Sequence, residues 1–494
     1  MLSREDAKNI IDKVISYSKL PQMLIQLEAG NRRVTGLSLD TDETFDTPFT
    51  RRDNPHRAYM TIIEGCDKSC AYCVVPFTRG PERSRISDSV LKEARELARM
   101  GYTEIQLLGQ NVNSYRDPSP AGWDFARMLR GVEQAEQLAR ISQPNPEDMP
   151  ALGPQKYPEL KNFDSFTGSA RGDVMIPHVK AVIDSAKENK LTAAGFIQRS
   201  ANSVAVGNKA GLFGYHTFTD SSLTNTMRSA GGASSGWSSQ TSVSLKDVHG
   251  ETAARISTEK CVGGSGTKRK LDPGPYTVIL EPAAVSDLVG FLGSNFGARD
   301  AEQGQSFLSK QGGGTHLGEK MFPEYITLRS DPSDTKLPAT PWGPSLLPNE
   351  RIAWIEKGVV KSLFYDRYWA SKAGKDPTPA TSNLTLDGQN NTLEDLIRSA
   401  DRGLLITRFW YIRFLQPQTL QLTGLTRDGV FLVEKGKVTD PVTNYRWNES
   451  PVRVLQNTKK LTQPTRSQGA ETGASIVPAI LVTDFNLASV SDAV

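Results

Sequence analysis

Residues 404–436 read LLITRFWYIRFLQPQTLQLTGLTRDGVFLVEKG. The first dozen are apolar or aromatic with few breaks, which predicts a long strand over 404–415. Two turn signals, Arg427-Asp428-Gly429 and Lys435-Gly436, follow between apolar segments. The stretch therefore predicts an antiparallel meander. Phe409, Trp410 and Tyr411 read as core and cross-strand pairs. Arg427 and Asp428 read as a turn and a surface pair rather than a catalytic dyad.

Outward from the meander the pattern alternates between helix and strand. Residues 392–400 predict a helix with Leu393, Leu396, Ile397 and Ala400 inward and Gly403 as its stop. Val285, Leu288, Val289 and Leu292 mark another helix. Residues 193–220 alternate around Gly207-Asn208-Lys209-Ala210-Gly211, a hairpin signal. Pro177 sits early in a helix with Val179, Val182, Ile183 and Ala186 as its apolar face. The Gly/Ser-rich stretch 229–239 reads as a loop, and TKRKLDPGP (267–275) as the main domain boundary. Prolines at 144, 146, 150, 154 and 158 predict a stiff extended segment. At the start, Ser3 caps a helix with Ala7, Ile10, Ile11, Val14 and Ile15 on one face, and 23–28 reads as a strand.

Hydrophobic residues make up 37% of the 494, and 58 basic residues face 55 acidic ones, a formal charge of +3. Such a balance favours no polyanionic partner by itself. The first residues carry charges of both signs with no apolar signal-peptide core. No run approaches the roughly 18 apolar residues of a membrane span. A cytoplasmic protein with no membrane association is expected.

Residues 58–63 predict a short strand. Ser87 caps a helix with Val90, Leu91, Ala94, Leu97 and Ala98 on one face, ended by Gly101. Residues 104–108 predict a second strand, closing at Gly109. Strand, loop, helix and strand in that order make a βαβ unit, so the two strands should be parallel. A short helix through Val132, Ala135, Leu138 and Ala139 comes next. Three of the four cysteines, Cys66, Cys70 and Cys73, fall in the loop of that unit. Their spacing leaves one iron of a four-iron cluster without a protein ligand, a place for S-adenosylmethionine. A zinc knuckle and metal-free thiols compete with this reading. A structural zinc wants four ligands, and only His56 and Cys261 stand as distant candidates.

TIIEGCDKSCAYCVVPFTRG (61–80) closely resembles the cluster loop of the MiaB family of tRNA methylthiotransferases, and LLGQNVNSY (107–115) resembles their second strand. The resemblance spans residues 34–130. It implies a [4Fe-4S] cluster on Cys66, Cys70 and Cys73, with S-adenosylmethionine held near Gly109. A radical-SAM barrel needs about six βα units; this segment offers two strands and one helix. No cysteine precedes Cys66 here, so the ligands of that family's preceding domain have no counterpart.

The sequence on both sides resembles a second family, TldD/PmbA. The resemblance covers 1–33 and resumes near 133 with EQLARISQPNPE (136–147), then RDAEQG (299–304), WIEKG (354–358), TGLTRDG (423–429), NES (448–450) and SDAV (491–494). It implies an α+β, two-domain architecture with antiparallel sheets, its N-terminal domain interrupted by the partial βαβ unit. The expected divisions are 1–33, 34–130, 131–266 and 267–494. It also implies handling of small or unfolded peptides, with zinc in the catalytic member. None of the five histidines, His56, His178, His216, His249 and His316, has a partner three to five residues away. That pattern resembles the PmbA (TldE) side of the family and implies a zinc-bearing TldD-like partner, with no zinc expected here. His316 reads as an ordinary loop histidine, and Glu449 as a structural hydrogen-bonding residue. The alternatives are a radical-SAM enzyme acting on tRNA, or an inactive fusion of the two.

Overall fold

The computed structural model describes residues 57–68, 75, 79–102, 104–139, 147–337 and 339–491. The predicted helix after Ser3, the strand at 23–28, His56, Cys70 and Cys73 lie outside the described residues. The chain divides into two compact units, 1–148 and 149–494.

In the first unit, strand β1 (Arg57–Thr61) is followed by a short antiparallel pair, β2 (Ile63–Glu64) with β3 (Arg83–Ser84), then helix α1 (Ser87–Arg99) and strand β4 (Glu104–Leu108). β1 and β4 are parallel, with Ala58 opposite Ile105 and Met60 opposite Leu107. The predicted βαβ unit is present. Val90, Leu91, Ala94 and Leu97 of α1 bury against Ala58, Met60 and Ile62. Each large side chain so buried contributes about 1.5–3 kcal/mol. Gly101 takes φ +88 beyond the helix end, a conformation glycine reaches without strain. Ser87 is not the cap. It is the first helical residue, and its hydroxyl donates to the buried Asp117 Oδ2 at 2.5 Å. The next helix, α2 (Phe125–Ala139), starts earlier than predicted, because Asp124 Oδ1 accepts the Arg127 N–H at 2.8 Å.

The second unit begins with α3 (Ser165–Ser169) and α4 (Gly172–Glu188), followed by strands β5 (Thr192–Gly207), β6 (Phe213–Arg228) and β7 (Ser235–Ser242). These three form one antiparallel sheet, so the predicted hairpin holds. Helix α5 (Gly250–Gly263) packs on it, joined to α4 through Val182, Ala186, Met227, Ala254 and Cys261. Two expectations change here. Pro177 lies early in α4 as read, but of the expected apolar face Val179 and Ile183 are exposed while Val182 and Ala186 are buried. The Gly/Ser-rich stretch turns over 229–234, but its second part, 235–239, is strand β7 rather than loop.

Next come β8 (Gly274–Leu280), helix α6 (Pro282–Gly293), α7 (Ala298–Glu302), β9 (Arg402–Gln416), β10 (Gln421–Glu434), β11 (Lys437–Pro441), β12 (Asn444–Glu449), β13 (Thr458–Leu461) and β14 (Ile480–Ser491). The pairings run β9–β8–β14–β12–β10 and return from β10 to β9, so five strands close on themselves. Only β8 and β9 in this ring are parallel. Phe409, Trp447 and Phe485 stack in the core, Phe409 and Trp447 at 4.6 Å between centroids. Gly424 lets Trp447 lie flat on β10, since a Cβ there would sit 2.5 Å from its ring. A second sheet is built from Leu328–Ser330, Ile352–Glu356, Val359–Val360, Leu384–Leu386, Thr465–Gln468 and Ala474–Val477. α6, buried along most of its length, packs against strands of both sheets. The predicted helix near 392 is Leu393–Arg398, with Thr392 and Asp395 forming a capping box; Gly403 belongs to β9, not to a helix stop.

The meander is present, but its first turn is elsewhere. β9 and β10 turn at Pro417–Thr419, with Leu420 left-handed. Arg427, Asp428 and Gly429 lie in mid-strand, where Asp428 at φ +54 and Gly429 at φ +133 form a bulge in the register. Asp428 is buried rather than a surface residue, and Oδ2 accepts from Arg408 Nε at 2.8 Å. Phe409 is core as expected. Trp410 and Tyr411 are half exposed, lying under arginine side chains. Lys435-Gly436 is the turn predicted.

Candidate functional site

Gly65 carries the chain from β2 into the cysteine loop at φ +70, and a Cβ there would sit 2.6 Å from the Gly80 carbonyl oxygen. Only glycine fits so close an approach. Cys66 follows, buried, and its N–H donates to Gly80 O at 3.2 Å. The Glu82 N–H donates to Asp67 Oδ1 at 2.9 Å. These bonds clamp the two stems of the loop. Lys68 N–H points at Cys66 Sγ, 3.5 Å away. Glu64, just before the loop, has its carboxyl pushed up by burial, against the pull of Arg83 and Arg79.

Gly109 follows β4. The Ile62 N–H donates to Leu108 O at 2.9 Å, and a Cβ on Gly109 would lie 2.9 Å from that of Ile63. β1 and β4 are parallel, so Gly109 directly and Cys66 by way of β2 follow the carboxyl ends of that pair. Open parallel α/β layers place ligands at that end. Asn111 to Ser114 then tighten into a turn, with Ser114 Oγ donating to Asn111 O at 2.7 Å. With Cys70 and Cys73 outside the described residues, Cys66 is the one thiol of the proposed set with a described environment.

Among the described residues no three His, Cys, Asp or Glu side chains converge as a metal site. His316 Nδ1 meets Glu319 Oε2 at 2.7 Å in a loop. His178 Nδ1 accepts the Gly250 N–H at 3.2 Å, and burial, then His249, lowers its pKa. His216 is buried against Phe218, which also lowers its pKa. Cys261 is buried in α5. Glu449 accepts from Ser450 N at 2.9 Å and Asn486 N at 3.3 Å, the structural role read for it. Sequence reasoning missed the buried Arg408–Asp428 pair. Its signal was an Asp-Gly step inside an apolar alternation, which a bulge shares with a turn.

Residues 273–489 match the PmbA/TldA metallopeptidase C-terminal domain. Residues 60–144 match the radical SAM superfamily. The fold is similar to that of TldE from Thermococcus kodakarensis, with a TM-score of 0.63 and 19% identity over 74% of this chain and 86% of that one. At that identity the likeness concerns the fold. The chain is 78% identical over 126 residues to the tRNA-2-methylthio-N(6)-dimethylallyladenosine synthase of Solibacter usitatus, and 58% identical over 127 residues to that of Koribacter versatilis. Each match covers 26% of this chain and 28% of the relative, so the chain spans little more than a quarter of those enzymes. Both resemblances read from the sequence are present: a TldE-like α+β fold, and a methylthiotransferase-like radical-SAM segment.

Proposed function

We propose that the chain is a TldE-like subunit of a peptide-processing TldD/PmbA-type assembly, acting on small or unfolded peptides beside a TldD-like subunit that carries the zinc. The observation that carries this reading is the TldE-like fold together with the family match over 273–489. The lack of a helically spaced histidine pair supports a subunit without zinc of its own. We take 1–33, 131–266 and 267–494 as the TldD/PmbA-like parts and 34–130 as the insert. No helix among the described residues is long and apolar enough to cross a membrane, and we assign the chain to the cytoplasm. Co-expression with a zinc-bearing family member of the same genome tests the reading. A stable complex by light scattering, with zinc following the partner, is expected. A chain that stays alone in every such mixture, or that itself holds stoichiometric zinc, overturns it.

The second reading is a radical-SAM site in the insert, favoured by the 78% identity over 126 residues. Cys66, Cys70 and Cys73 would hold a [4Fe-4S] cluster, and the backbone at Gly109 would border S-adenosylmethionine. The cluster would supply one-electron reduction of the bound S-adenosylmethionine. The chain's part is to hold thiolates and exclude water. Its nucleic-acid partner would be tRNA.

A further inference from the structure

Helices α4 and α5 run side by side and touch backbone to backbone at Gly250. A Cβ there would sit 2.4 Å from the His178 Cα and 2.4 Å from its carbonyl oxygen, so the junction has no slack. At the same place the His178 Nδ1 accepts the Gly250 N–H at 3.2 Å. An amide can only donate, so Nδ1 carries no proton and the neutral ring holds its own on Nε2. Further along, Ser185 Oγ and Thr258 Oγ1 meet at 2.9 Å. The His178 end also holds Leu245, Val248 and Ala253, buried in one cluster with Val174 and Met175 of α4 packed against it. The first turn of α5 is therefore pinned by packing and by a bond that only the uncharged imidazole can accept.

Two titratable groups act on the ring, both from the start of α5. Burial disfavours its charge most, His249 adds to this and Glu251 opposes it, so the pKa of His178 lies below the ordinary value. Charged neighbours on the packed elements have other partners. On the helices, Lys180 pairs with Asp184 and Arg255 with Glu259, and Asp173 stands more than a turn back along α4. In the sheet, β7 carries no titratable residue, Arg199 of β5 donates to Gly168 O, and Asp220 of β6 pairs with Arg466. In the turn before α5, Asp247 accepts from Ser242 Oγ and Lys246 lies over Phe166.

We propose that His178 is a pH-sensitive latch: its neutral ring holds the first turn of α5 against α4, and its protonation releases that turn. A protonated ring presents N–H on both nitrogens. Nδ1 then meets the Gly250 amide donor to donor, and that amide loses its acceptor. The new cation also stands beside His249, which opposes it, and at the first turn of a helix, where positive charge is disfavoured. Relief comes when the turn lifts and water reaches both groups, which uncovers Val248 and Ala253. A histidine with a depressed pKa stabilises the fold fully above its ordinary value, and that contribution is lost as pH falls below it. The latch therefore holds at neutral pH and yields in acid.

Hydrogen exchange of the full chain, read by mass spectrometry over 248–257 and corrected for intrinsic amide rates, tests the latch between about pH 8 and about pH 5, the range over which histidine changes charge. Protection of the first turn of α5 should fall about tenfold in acid, the factor that one ordinary hydrogen bond gives, while α6 keeps its protection. His178→Asn places an amide oxygen near the position of Nδ1 and does not titrate, so its first turn should stay protected at both values. His249→Asn keeps a good capping residue and removes a group that opposes the charge on His178, so the loss should begin at higher pH. Equal protection of the natural chain at both values, an equal fall in His178→Asn, or a His178→Asn chain open at both values would overturn the proposal. So would an unshifted profile in His249→Asn, or a fall shared by α6.

Discussion

Glu449 shows what a buried acid does when its partners are backbone amides. Burial raises its pKa, and the amides of Ser450 and Asn486 with Arg453 oppose this only in part. A carboxyl whose folded pKa lies above its unfolded value binds its proton more tightly in the folded state. Its favourable contribution is complete below the unfolded pKa and is lost as pH rises through the folded one. Glu449→Gln removes that titration while keeping an acceptor for the Ser450 N–H. The stability of the natural chain relative to Glu449→Gln should therefore fall as pH rises above the ordinary carboxylate range, read as the difference in Tm. A difference that grows with pH would refute the assignment. The structural role of Glu449 was legible in Asn-Glu-Ser, as was the loop role of His316. Asp428 was not, because whether an Asp-Gly step turns the chain or bulges it depends on the partner strand, which local sequence does not name.

Elements were legible where their period was local. The βαβ unit of 57–108, the hairpin of β5 and β6 and the capped helix Leu393–Arg398 all follow from spacing and caps within a few residues. β7 was not legible. Its run of glycine and serine carries no strand propensity, yet those small residues are why it exists. A Cβ on Gly236 would meet Ser257 O and come within 2.5 Å of Cys261 N, so α5 lies directly on the strand. Ser238 Oγ donates to Ala253 O at 2.7 Å, and Asn225 Nδ2 to Ser257 Oγ at 2.6 Å. Tight packing thus selects residues that composition alone assigns to loops. Gly236→Ala should push α5 outward at a cost of about 1–3 kcal/mol, the range for overpacking. Urea unfolding is the measurement. A midpoint within error of the natural chain would show that the helix stands further off.

At the scale of the molecule, two resemblances share one chain, and their structural completeness differs. The unit of 149–494 closes a ring of strands around Phe409, Trp447 and Phe485 and buries α6 between two sheets. The unit of 1–148 contains, among its described residues, one parallel pair of strands with α1 across it. A cluster needs only the loop. Three thiolates at Cys66, Cys70 and Cys73 are close in sequence, and the stem at Gly65 and Gly80 is clamped. Anaerobic reconstitution should load some iron and sulfide. Turnover needs an enclosure. S-adenosylmethionine must be held along several strand ends, and the radical must be kept from water and aimed at a base. β1 and β4 supply two such ends where a barrel supplies about six. The expected outcome is partial cluster binding, seen by absorbance and iron content, with no methylthiolation of isopentenylated tRNA under reductant and S-adenosylmethionine. Methylthio product that disappears in Cys70→Ala would reverse this and make the insert the working centre of the chain. Absence of iron in both proteins would instead mean that the loop, although spaced for a cluster, does not bring its thiols together.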